Sequence, residues 1–287
     1  MAINTPPVEI EIKVGAIKGR TMDSFFNLVI VSGAIAGSST GLLGVYIVGM
    51  RMPFIGVCIS HAAMAGSVFA ALMGFNPIAG AIVVSVVTSM SLATIHPSNA
   101  RLDINVGLAI LFSLMLGLTF LGIGLEQDSR TEMLGLLWGS LLFVRAKTVL
   151  LMGIFSLALI IFTTVFNKEL KAILFSRSLA AATGVHQGFV YCLFLALCGI
   201  ILAVNLHAIG GLMIFSLITN PAAAAYQICR GHKSVVITST LLGALSAVGG
   251  FLVSFYCNLP TGACIVVLST IFFGLAAAYR ILMGNKD

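Results

Sequence analysis

Apolar residues fill this chain in long, nearly unbroken blocks, and charged residues fall almost only between them. The blocks run over 24–49, 54–73, 77–95, 104–125, 147–167, 188–208, 210–228, 235–256 and 261–283. Each approaches the roughly 20 residues that an α-helix needs to cross a hydrocarbon layer. Inside that layer no water pairs with backbone N–H and C=O groups, so a crossing segment must be a helix that pairs its own. The pattern predicts an all-α polytopic membrane protein with about nine transmembrane helices. A shorter run, 133–144 (MLGLLWGSLLFV), falls below spanning length and predicts an interfacial or re-entrant helix. LHAIGGL at 206–212 admits a second reading, a bend within one long hairpin, which leaves the count between eight and ten. Residues 1–23 are polar and precede the membrane domain 24–287, as a short outer segment or a helix lying on the surface. The first block begins near Phe25 without a small-residue cleavage site, so it reads as a retained helix.

Composition agrees with the pattern. Of the 287 residues, 59% are hydrophobic and 8% charged, with a mean hydropathy of +1.12, where a soluble domain carries about 25% charge. Charge then sets the orientation. With the N-terminus outside and the C-terminus inside, the inner loops hold Arg51, Arg101, Lys168, Lys171, Arg177, Arg230, Lys233, Arg280 and Lys286 against Asp103, Glu169 and Asp287. The outer side carries six basic and six acidic residues. This is the sense of the positive-inside rule. The basic balance is thus a matter of topology, and no basic patch with interleaved aromatics marks a nucleic-acid partner. The six cysteines lie within or at the ends of apolar blocks, which is not the layout of a disulfide framework.

Few residues are left that could carry chemistry. FIGVCISHAAMAG, 54–66, sets His61 inside an apolar, small-residue run with Cys58 three positions earlier, so both share a helical face. An intramembrane histidine is costly and points to a transport path by default. Imidazole and thiolate are ligands of zinc and other borderline-soft cations. An intramembrane cysteine is also an ordinary small hydrophobe, which is the competing reading of Cys58. His207 follows Asn205 at the outer end of the sixth block; two apart, they point to different helix faces, toward a path or merely toward interfacial water. No Asp or Glu sits mid-block, whereas ion-driven carriers generally need one at depth. No G-x-x-x-x-G-K-[ST] is present, so ATP used by this chain must be hydrolysed on another subunit. Gly33, Gly37 and Gly41 recur every four residues and give a flat stripe for close helix packing. Pro221 removes a backbone donor and frees the carbonyl of Leu217, predicting a kink with Thr219 and Asn220 at hand to satisfy it.

The longest inner interruption, 168–187 (KELKAILFSRSLAAATGVHQ), combines helix formers with a stripe of Leu170, Ile173, Leu174 and Leu179, and Gly184 where a helix would stop. It reads either as a connecting helix on the membrane surface or as a docking helix for a cytosolic partner.

Several of these pieces together resemble one family. RMPFIGVCISHAAMAG is similar to the second-span motif of the permease subunits of bacterial ABC importers for zinc, manganese and iron. IGGLMIFSLITNPAAAA resembles their late Gly–Leu…Pro–Ala–Ala motif, YCNLPTGACIVVLSTIFF the motif opening their last span, and LLWGSLL a segment before the fifth. The resemblance covers nearly all of the chain after residue 25. It implies a homodimer of permeases in the bacterial cytoplasmic (inner) membrane, two cytosolic ABC ATPase subunits and an extracytoplasmic metal-binding protein. It also implies that 168–187, Arg177 included, is the segment that couples to the ATPase. No cofactor would be held permanently; the divalent metal is cargo, and ATP sits on the partner.

Three positions depart from the family pattern. Val57 stands where an acid usually precedes the motif histidine, Ser176, Arg177 and Ser178 replace an Asp–Pro–Glu-like start, and Asn258 replaces an acid before the last-span proline. What remains near the path is His61, Ser60 and Cys58, a neutral or soft set that favours zinc over manganese or iron. Two other readings stay open. One is a permease for a metal chelate or another small cargo. The other is an intramembrane enzyme using Ser60 or Cys58 with His61, although neighbours on a helix diverge by about 100° and Ser60 and His61 do not face each other.

Overall fold

A computed structural model describes residues 7–94, 104–125, 144–175 and 187–284. Its described residues form ten helices: α1 Pro7–Gly49, α2 Phe54–Leu72, α3 Pro77–Thr94, α4 Ile104–Leu125, α5 Ala146–Val165, α6 Asn167–Phe175, α7 Gln187–Ile209, α8 Gly211–Ile228, α9 His232–Cys257 and α10 Thr261–Gly284. All but α6 coincide with the nine apolar blocks. Seven are long and apolar enough to cross a membrane by length and composition: Phe26–Gly49 within α1, and α2, α4, α5, α7, α9 and α10 over most or all of their length. The others, α3 and α8, have 18 residues each, which is about 27 Å at the helical rise. The 133–144 run lies outside the described residues except for Val144.

Two places gain detail, and the separate blocks 188–208 and 210–228 stand as α7 and α8. Helix α1 does not start at the edge of the apolar block: it runs unbroken for 43 residues from Pro7, so the polar stretch continues the first crossing as helix. At 206–212 there is neither a smooth bend nor a loop. Gly210 adopts φ 91° and ψ 148°, a conformation that L side chains rarely take, and this single residue separates α7 from α8. Its N–H still reaches the Leu206 carbonyl at 2.9 Å, and its own carbonyl accepts from Ile214 at 3.3 Å. Helix α8 leaves the joint to pack on α1, α9 and α10.

Burial sorts the helices into an inside and an outside. In α2, 83% of the most apolar window is buried, and 67% in α1 and α7, against 22% in α4 and 28% in α5 and α10. The peripheral helices turn Ile110, Leu114, Leu121, Leu150, Leu157 and Leu275 outward, as suits a lipid solvent.

The interior closes through backbone contact. A Cβ on Gly37 would collide with the carbonyl of Gly243 in α9, and one on Gly41 with the carbonyl of Ser239. Ser239 donates its hydroxyl to the Gly41 carbonyl at 2.7 Å. Gly44 makes the same close approach to Ile218 of α8. Gly33 is buried on the same helix.

Helix α6 turns its apolar stripe toward its own bundle. Leu170 and Ile173 are buried in the main core, and Leu174 packs over Gly49 at the end of α1. Leu170 and Ile173 thus anchor the segment, Leu174 is half-buried, and α6 exposes Lys168, Lys171 and Phe175. Arg177, Leu179 and Gly184 lie outside the described residues.

Candidate functional site

Helix α2 is enclosed for nearly its whole length because Ala62, Ala63, Ala65 and Gly66 let neighbours close on it. Gly66 meets the Gly80 carbonyl of α3. His61 sits inside this helix at 2% exposure. Its Nδ1 lies 3.0 Å from the carbonyl oxygen of Val57, one turn back. A carbonyl only accepts, so Nδ1 donates to it, and Nε2 is the ring nitrogen left over. Nε2 is buried without a hydrogen-bond partner among the described residues. Phe112 of α4 meets the ring edge-on, with centroids 4.7 Å apart at 85°.

The neighbouring residues do less. Ser60 donates its hydroxyl to the same Val57 carbonyl at 2.9 Å and stands 3.5 Å from His61 Nδ1, which is the nitrogen already bonded. The hydroxyl hydrogen thus points at backbone, and the pair is not arranged as nucleophile and base. Cys58 is fully buried among core side chains. No group of three His, Cys, Asp or Glu side chains converges among the described residues.

At the far end of α7, Asn205 and His207 diverge. Asn205 is buried and donates Nδ2 to Ser39 Oγ of α1 at 3.0 Å, so it joins helices. His207 is half-buried; its Nδ1 is 3.4 Å from the Ala203 carbonyl, and its Nε2 is buried without a partner among the described residues.

Pro221 lies within a continuous α8. Thr219 donates to the Phe215 carbonyl, while Asn220 donates to Ser269 and Thr270 of α10 at 3.0 Å each and leaves the Leu217 carbonyl alone. Asn220 is thus a bridge between helices. Phe112, Ser39, Ser269 and Thr270 carry these contacts and were not singled out in the sequence. Their partners lie 49 to 166 residues away for the hydrogen bonds, a separation at which no local pattern signals contact.

The described helices form a multi-pass bundle with His61 enclosed in α2. Residues 22–280 match the ABC 3 transport family, and the chain belongs to it. Membership makes this the permease of an ABC transporter, in which ATP is hydrolysed on a separate subunit. The chain is 25% identical over 260 residues to the manganese transport system membrane protein MntC of Listeria monocytogenes, covering 91% of this chain and 92% of that one. It is also 25% identical over 251 residues to the high-affinity zinc uptake system membrane protein ZnuB of Haemophilus influenzae, covering 88% and 96%. Its fold matches that of the solved PsaBC from Streptococcus pneumoniae in complex with Fab, with a TM-score of 0.82 at 24% identity over 94% of this chain and 98% of that chain.

Proposed function

We propose that the chain is the membrane-spanning subunit of an ATP-driven importer of divalent metal ions, with zinc the favoured cargo. The observation that carries the reading is His61: a ring enclosed in α2, bonded through Nδ1 to the Val57 carbonyl and with Nε2 buried without a partner among the described residues. Relatives named for manganese transport and for zinc uptake match at the same 25% identity, so the preference for zinc rests on the donors, nitrogen and sulfur without a carboxylate. One imidazole with Cys58 nearby is an incomplete shell. That suits a path, since a cargo must leave as readily as it enters.

In this reading two copies share a central path in the cytoplasmic membrane, N-termini outside and C-termini inside. A binding protein delivers metal from the outer side. Two cytosolic ATPases act on 168–187, and α6, anchored by Leu170, Ile173 and Leu174, carries the movement into the end of α1. Alternating access then needs no covalent chemistry in this chain.

The test is uptake by the complete complex in vesicles, titrated separately with zinc, manganese and iron, beside a His61→Ala variant. Removing a ligand should cost at least the roughly 10- to 100-fold seen when a ligand's orienting partner is removed. Basal ATP hydrolysis should persist. Wild-type uptake of none of the three metals would overturn the reading, as would an unimpaired His61→Ala variant.

A further inference from the structure

The seam between α8 and α10 carries a polar cluster with an unusual balance of donors and acceptors. Ser269 donates its hydroxyl to the Val266 carbonyl at 2.9 Å, and Thr270 donates to the same carbonyl at 2.8 Å. Each hydroxyl has one hydrogen, so both can only accept from Asn220. In this arrangement Nδ2 spends its two hydrogens on Ser269 and Thr270, and Oδ1 is left without a partner on α10. Thr219 spends its hydrogen on the Phe215 carbonyl. Every hydrogen in the cluster is committed, and every free position is an acceptor.

The cluster is neither sealed nor at the membrane edge. Thr219 and Asn220 are half-buried and Thr270 is exposed. Thr270 lies nine residues into the crossing segment Thr261–Met283, about 14 Å from its start. Hydrocarbon offers nothing to a bare amide oxygen at that depth. A species rich in donors or positive charge must face them instead.

The geometry points to the α8–α10 seam as a water-lined wall of the transport path, with Asn220 Oδ1 and the Thr219 and Thr270 hydroxyl oxygens turned toward a passing hydrated cation. This rests on the chain being a transport permease and extends it beyond the histidine of α2. Oxygen acceptors that bear no full charge hold such a cation weakly, by its own water, and favour its passage over its capture.

A Thr270→Cys variant in the complete transporter tests it, with modification by cationic and anionic methanethiosulfonate reagents followed by mass spectrometry. The exposed native Cys257 serves as the reference. Modification should occur, and the cationic-to-anionic rate ratio should exceed that at Cys257 by about ten-fold, in line with field focusing in a one-sign cleft. Adding Asn220→Leu should return the ratio to the reference value. Three results overturn the inference: reaction only with a membrane-soluble maleimide, a disulfide joining the two copies of the variant, or a ratio equal to that at Cys257. If Thr270→Cys does not assemble, Thr219→Cys is read the same way. The measurement needs no metal. A cation-selective wall in a complex that imports none of the three metals would remove the cargo assignment alone, whereas metal uptake with an unreactive Thr270→Cys would remove the wall alone.

Discussion

Asn205 and Asn220 are the same side chain set into two different seams. Between α7 and α1, Asn205 is 1% exposed and donates to Ser39, whose own hydrogen is spent on the Ala36 carbonyl. Between α8 and α10, Asn220 also donates to hydroxyls whose hydrogens are spent on backbone, yet it is half-buried. The chemistry of the bond is alike; the surroundings are not. An amide closed on all sides serves as glue between helices, while one open on a side requires something polar there. Which of the two an intramembrane asparagine becomes is decided by the neighbouring helices.

The closed interior is tested hardest by filling it. Gly243→Leu would push a side chain into the backbone of Gly37 and Gly41, and should destabilise the purified protein by about 3 kcal/mol. Thermal or denaturant unfolding in detergent measures this, and an unchanged midpoint would break the picture of a dry α1–α9 contact.

Asn205→Leu should have a smaller effect, about 1 kcal/mol by the same measurement, since an interhelical hydrogen bond in a membrane is worth little more. Uptake per folded complex should stay as in the parent; a lowered maximal rate would mean that this amide also touches the path. Asn220→Leu should shift stability least, by under about 0.5 kcal/mol, because its loss leaves two hydroxyls that already bond to backbone. Its mark should be a slower uptake at saturating cargo. Equal stability losses for both asparagines, with equal uptake, would erase the contrast between the seams.

The placement of the helices was largely legible in the chain. Nine apolar blocks predict nine helices with ends shifted by a few residues, apart from the early start of α1 at Pro7. The extension escaped notice because hydropathy reports where lipid begins, and a helix can continue past that point. His61 was legible for a similar reason: its cost in hydrocarbon marks it without any knowledge of neighbours. The α6 stripe was legible as amphipathic but not in direction, since Leu170 and Ile173 look the same whether they face the bundle or a partner.

Sequence alone therefore determined the medium, the helical class, the crossing segments and the costly imidazole of His61, because in a bilayer each helix must satisfy its backbone by itself and each polar intrusion shows locally. Tertiary structure alone decided which nitrogen of His61 is free, where Leu170 and Ile173 point, and why Asn205 closes a seam that Asn220 leaves open. Those outcomes depend on contacts between helices up to 166 residues apart, where one hydroxyl's choice of acceptor fixes what its neighbour can still offer.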